Sequence, residues 1–74
     1  MEKVESVKED ITSLIAQNFG AITAHTFEQS YQDATLPIYT SGAMGILEDL
    51  IGRQKAKKEM EEIFFKNKMS VSYV

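Results

Sequence analysis

The 74-residue chain has no cysteine and no tryptophan, and it has only one histidine, one proline and four glycines. Without cysteine, disulfide bonds, thiolate zinc sites, iron–sulfur clusters and a cysteine nucleophile are all excluded. His25 lies three residues before Glu28, but a metal site in a helical bundle also needs carboxylates from other helices. We therefore expect no structural metal and no cofactor, and we interpret His25 as a surface or cap-adjacent residue.

Other absences bear on cellular context and activity. No apolar run approaches the roughly 18–20 residues of a membrane span, and the charged N-terminus lacks the apolar core of a secretion signal. The sequence also lacks a glycine-rich phosphate loop and a serine flanked by the glycines of a nucleophile elbow. These features predict a cytoplasmic protein with no membrane partner, and one that is not an enzyme.

A chain this short supports one domain with a small core. Domains of this size bury only about 60% of the surface that their unfolded chains expose, so many need additional stabilisation. Since disulfides and metals are excluded, oligomerisation or very good helix packing remains. The net charge is −3, and it is unevenly distributed, because residues 1–40 sum to −4 and residues 41–74 sum to +1. Neither half has the strong positive field that is typical of a nucleic-acid binder.

The first helix has the clearest pattern. Apolar residues at helical spacing fall within an arc of about 140°, and the pattern predicts a helix over residues 3–19. Gly20 is expected to end it, because glycine adopts a positive φ without steric cost. The inward-facing residues are Val4, Val7, Ile11, Leu14, Ile15 and Phe19.

The second helix, predicted over residues 22–34, has two competing start signals. Thr23 as N-cap would place Ile22 and Phe27 in a hydrophobic staple, whereas Thr26 as N-cap would form a capping box with Gln29. In both cases one face carries Phe27, Tyr31 and Ala34. Pro37, the only proline, predicts a break around residues 35–36.

The third helix is predicted to start near Thr40 or Ser41, both good caps, and to end before Gly52. Gly42 and Gly45 each cost about 1 kcal/mol inside a helix. Two interpretations follow: an irregular first turn, or a close approach of another backbone that compensates the cost. The predicted inward face consists of Ala43, Ile46, Leu47, Leu50 and Ile51.

The fourth helix is predicted over residues 53–67, and Phe65 is its unusual feature. Ala56, Met60, Ile63 and Phe64 should face the core. Phe65 lies about 180° from Ala56, on the charged face. The tail, residues 69–74, alternates like a strand and is either frayed or paired with a partner. We therefore assign residues 1–68 to a single helical domain and residues 69–74 to a C-terminal tail.

Phe65 suggests a contact surface. It is either an isolated exposed ring or part of an interface to a second copy or another protein. The tail would enlarge such a surface, since it adds apolar residues beside Phe65. The candidate partner-binding residues are Phe65, Met69, Tyr73, Lys58 and Glu61.

One basic cluster opens the fourth helix and suggests a second kind of partner. Its charged members are Arg53, Lys55, Lys57 and Lys58. A helix-turn-helix would need buried apolar residues where Lys58 and Glu61 stand, and the following acidic residues would repel phosphate. We interpret the cluster as a solvated face that could contact an acidic protein surface or, less well, nucleic acid.

Together these features predict an all-α fold, a compact bundle of three to four short helices that dimerises. The expected function is a small non-catalytic protein-interaction or regulatory module acting through helical surfaces as a homodimer. The alternative is a nucleic-acid-associated protein that uses the residue 53–58 patches of paired subunits.

Overall fold

The computed structural model describes residues 2–69, which form four α-helices around one core. This architecture confirms the all-α prediction. α1 packs against each of the other three helices, and α3 packs along α4. The helices are α1 (Glu2–Phe19), α2 (Ala21–Ser30), α3 (Leu36–Ile51) and α4 (Arg53–Lys66).

Single glycines make two of the three connections. Gly20 and Gly52 have φ of 98° and 87° with ψ of 165° and 157°, a region that is essentially open to glycine alone. The Gly20 amide donates to the Ala16 carbonyl, and its own carbonyl accepts from the Ala24 amide. Each glycine thus ends one helix and begins the next. The predicted end of the first helix at Gly20 and the predicted break at Gly52 are confirmed.

The core draws side chains from all four helices. α3 contributes five of the buried apolar residues and α1 contributes four, and every residue predicted on the inward face of α1 is buried or half-buried. Three rings from α2, the following loop and α3 pack together: Phe27 stacks on Tyr31 at 4.5 Å, and Tyr39 meets Phe27 edge-on at 4.9 Å. The buried apolar residues are Val7, Ile11, Leu14, Ile15, Ala24, Phe27, Leu36, Tyr39, Ala43, Met44, Leu47, Ala56, Met60 and Phe64.

The predicted bounds of the second helix were wrong at both ends. α2 begins at Ala21, directly after Gly20, and neither Thr23 nor Thr26 caps it. Gly20 replaces a side-chain cap because its conformation lets one residue serve two helices. The helix ends at Ser30, so the residue 31–35 loop takes the place of its predicted last turn.

The predicted start of the third helix was also wrong. α3 begins at Leu36, with Thr35 at the N-cap position and Pro37 in the first turn, where a proline loses no hydrogen bond. Thr40 is fully buried inside the helix instead of capping it. The earlier start brings Leu36 and Tyr39 into the core.

The inward face of α3 differs from the predicted one at its C-terminal end. Met44 is buried, whereas Leu50 is 52% exposed. At about 100° per residue, Met44 and Leu50 lie on opposite flanks of Leu47. The buried face is therefore centred toward Met44, which leaves Leu50 at its edge.

Candidate interaction surface

The outer face of α4 carries the candidate surface. Phe64 is fully buried while its neighbour Phe65 is 84% exposed, because one step along a helix rotates a side chain by about 100°. Phe65 lies in a groove of about 520 Å³ whose other walls are Lys58, Glu61, Glu62 and Met69. Four of the five predicted partner-binding residues therefore lie together. The fifth, Tyr73, and the rest of the tail beyond Met69 lie outside the described residues.

Polar contacts to α1 fix the C-terminal end of α4. The Asn67 side-chain amide donates to Asp10 Oδ2 at 3.0 Å and to the Ile63 carbonyl at 2.8 Å, and its oxygen accepts from Ser6 Oγ at 2.7 Å. Lys66 Nζ lies 3.3 Å from the same Asp10 carboxylate. These contacts fix the last turn of α4 against α1. They thereby also fix the rotation of α4 about its own axis, which directs Phe65 outward.

A left-handed residue places Met69 beside Phe65. Lys68 has φ of 59°, its amide donates to the Phe65 carbonyl at 3.0 Å, and the Met69 amide donates to the Phe64 carbonyl at 2.9 Å. This pair of bonds is the Schellman motif that ends many helices. Met69 packs partly on the core and closes one end of the groove.

Charge along α4 is segregated. The basic residues Arg53, Lys55, Lys57 and Lys58 come first, and the acidic residues Glu59, Glu61 and Glu62 follow. No acidic residue occupies the first turn, where the helix dipole favours negative charge. The basic first turns and the acidic block that follows them therefore oppose the dipole of α4, whereas Lys66 in the last turn complements it.

The basic cluster lies on the first two turns of α4. Arg53 Nε is 4.0 Å from Glu48 Oε2, and the Arg53 side chain is 86% exposed, so this contact contributes little to stability. Lys55, Lys57 and Lys58 are also exposed. Of these four residues only Lys58 lines the Phe65 groove, and the structure thus separates most of the basic cluster from the apolar surface.

A second exposed apolar site was missed by the sequence analysis. Ile22 on α2 is 84% exposed and borders a groove of about 310 Å³ that Ile46 and Tyr31 also line. The helical period could have indicated this exposure, since Ile22 lies about 140° around α2 from the buried Phe27. One of the two predicted starts, with Thr23 as N-cap, paired Ile22 with Phe27 in a staple, but Gly20 occupies the N-cap position.

An internal polar contact was missed because Tyr39 lay outside the predicted third helix. Tyr39 is almost fully buried, and its hydroxyl lies 2.6 Å from Thr12 Oγ1. The Thr12 hydroxyl donates its proton to the Lys8 carbonyl, so the Tyr39 hydroxyl is the donor in the bond between Tyr39 and Thr12. Burial raises the pKa of Tyr39, and the charges of Glu28 and Glu5 add to that shift.

Residues 2–69 contain no cluster of three or more acidic or histidine side chains that could hold a metal ion. Among the helices of this range, none combines the length and the apolarity that crossing a bilayer requires. No family model matches the chain, and comparisons with curated proteins and with solved structures give no significant match either.

Proposed function

We propose that the protein is a small non-catalytic interaction or regulatory module that acts as a homodimer, with the outer face of α4 as its docking surface. The observation that carries the proposal is the Phe65 groove. One exposed aromatic ring is unremarkable on a protein surface, but Phe65 shares its groove with the half-buried Met69 and has charged residues at the edge. An apolar centre with a charged rim is the usual composition of a protein interface.

The size of the protein supports self-association. A 74-residue chain without disulfides has a small core, and burial of further apolar surface between subunits is a common source of stability in such chains. Phe65 and Met69 supply apolar surface for this purpose without any change in the fold. Cytoplasmic localisation remains part of the proposal.

The nucleic-acid alternative has less support. Lys55, Lys57 and Lys58 are exposed, but Glu61 and Glu62 lie on the next turn of the same helix and would repel phosphate. Binding through these lysines would weaken steeply with salt. A gel shift with duplex DNA at low and high salt tests this alternative directly.

The proposal is tested by the solution mass of the wild type and of two matched variants. Phe65→Asp should convert the dimer to a monomer, because it replaces the aromatic ring that the proposed interface buries with a charged side chain. Ile22→Asp is the control: Ile22 is equally exposed, at 84%, and lies on α2. It should leave the dimer intact.

Size-exclusion chromatography with light scattering, at protein concentrations up to about 1 mM to detect weak association, gives the mass of each form. Circular dichroism should show the same helical signal for all three. A wild type that stays monomeric would refute the homodimer. A dimer lost in Ile22→Asp but kept in Phe65→Asp would move the interface to α2.

A further inference from the structure

Within residues 2–69, the charged residues that line the Phe65 groove form no ion pair. In the part of the chain that the structure describes, the ion pairs join Arg53 to Glu48 and Lys66 to Asp10. Lys55, Lys58 and the glutamates of the groove, Glu61 and Glu62, are all exposed and take no part in these pairs. Opposite charges therefore stand on one surface, in an order that opposes the dipole of α4.

Lys58, Glu61 and Glu62 lie on one strip of the helix, and Lys55 lies at its edge, about 80° from Phe65. At about 100° per residue, Lys58 lies about 20° and Glu61 about 40° from Phe65 around the helix axis. Gln54 also lies about 20° from Phe65, toward the N-terminal end. A helix laid along this strip would meet basic, then acidic, then aromatic side chains.

The order of charge selects the occupant and its direction. A second α4 laid parallel would oppose like charges, Lys58 to Lys58 and Glu61 to Glu61, which is destabilising. A second α4 laid antiparallel brings the basic half of each helix onto the acidic half of the other. The strip is thus complementary to itself in one direction only.

We propose that α4 pairs antiparallel with α4 of a second copy, in the register that sets Lys58 of each chain against Glu61 and Glu62 of the other. This inference rests on the proposed function, whose docking surface it shares. In this register the two-fold axis passes near residues 59–60. Phe65 then packs on Gln54 and on the aliphatic stem of Lys55 of the second copy. Lysine stems commonly pack against apolar neighbours in this way.

The contact is small. α4 has 14 residues and is about 21 Å long, so a pair of such helices falls at the low end of interface size, where association is weak and transient. The proposal accordingly predicts a dimer that is lost on dilution and weakened by added salt, since exposed ion pairs are screened.

Charge reversal in two complementary variants tests the register. Lys55→Glu/Lys58→Glu makes the strip acidic throughout, and Glu61→Lys/Glu62→Lys makes it basic throughout. The homodimer of each variant should have a Kd at least about tenfold higher than that of the wild type, because several favourable charge pairs become repulsive. All four positions are exposed, so circular dichroism should show unchanged helices.

Mixing the two variants tests whether these charges face each other across the interface. A one-to-one mixture should form a heterodimer with an affinity near that of the wild-type dimer, since every opposed pair is again of opposite sign. The quadruple variant, which exchanges the two charge blocks within one chain, is decisive for the direction of pairing. It should again form a homodimer, because an antiparallel pair opposes unlike charges and a parallel pair opposes like charges.

The outcomes separate this inference from the proposed function. A dimer that Phe65→Asp dissociates but neither charge reversal weakens would overturn the register and leave the α4 interface standing. Variants that each weaken the dimer but do not combine in the mixture would also overturn it. A wild type that is monomeric at every concentration would overturn both proposals.

Discussion

The ring of Tyr31 lies directly against the backbone of Gly42. A Cβ added at Gly42 would come within 2.7 Å of two ring carbons of Tyr31 and within 2.8 Å of its hydroxyl oxygen. The ring cannot easily move aside, because it stacks on Phe27 at 4.5 Å. Gly42 thus lets the loop after α2 close onto α3, and this contact compensates the cost of a glycine inside a helix.

Two alanine substitutions in α3 test this relationship. Gly45 lies one turn from Gly42 in the same helix and has no neighbouring atom within 4 Å of an added Cβ. Gly45→Ala should raise the free energy of unfolding by about 0.5–1 kcal/mol, which is the gain in helix propensity. Gly42→Ala should lower it by about 1 kcal/mol, because overpacking outweighs the same gain. Urea denaturation of both variants measures the difference, and equal stabilisation by the two would show that the Tyr31 ring is not held in place.

The structure also shows which parts of the fold the sequence could predict. α1 and α4 follow from apolar spacing, since each buries one continuous face against the core. Gly20 and Gly52 were correctly placed as breaks because positive φ is a local property of glycine. These features depend on neighbours in sequence, which a single chain displays directly.

The start of α3 and the role of Gly42 depend on contacts between distant residues. Pro37 suits a first turn as well as a break, and only the packing of Leu36 and Tyr39 into the core decides between them. We considered either an irregular turn or an approaching backbone at Gly42, whereas the structure shows the side chain of Tyr31. No local pattern identifies which side chain closes on a glycine eleven residues away.

Only part of the candidate surface was predictable, because only part of it depends on the helical period alone. The helical period alone places Phe65 opposite Ala56 and beside Lys58. The exposure of Ile22 was not anticipated, because it depends on where α2 begins. Met69 was assigned to the tail beside Phe65, and it reaches the groove through the left-handed turn at Lys68.

Tyr39 should make the stability of the protein sensitive to alkaline pH. Burial raises its pKa above the unfolded value of 10.0, so below about pH 10 the residue is protonated in both states and contributes no pH dependence. Above that pH the unfolded chain releases the proton before the folded one does. The free energy of unfolding therefore falls with rising pH.

Tyr39→Phe isolates this contribution. The variant should lose about 1 kcal/mol at neutral pH with the hydrogen bond to Thr12, and its stability should fall less between pH 9 and pH 11 than that of the wild type. Tyr31→Phe, which keeps Tyr39, serves as the control and should retain the wild-type slope. Urea unfolding at a series of pH values measures both, and identical slopes for Tyr39→Phe and the wild type would contradict the assignment.

Lys68 is the only non-glycine residue with a positive φ in the range 2–69, at 59°, and this conformation costs a residue with a Cβ roughly 1–2 kcal/mol. Glycine is the preferred residue at this position of the Schellman motif. Lys68→Gly should therefore raise the free energy of unfolding by about 0.5–1 kcal/mol, part of the relief being offset by the greater freedom of glycine in the unfolded chain. For a chain of this size the gain corresponds to an increase in Tm of about 2–8 °C.

Lys68→Ala separates the backbone effect from the loss of a charge. Alanine removes the ammonium group but keeps the Cβ, so it should leave Tm almost unchanged. If Lys68→Ala stabilised the protein as much as Lys68→Gly, the gain would come from charge and not from the left-handed backbone. Because the motif also sets Met69 beside Phe65, Lys68→Gly should preserve the groove, and its solution mass should equal that of the wild type at each concentration.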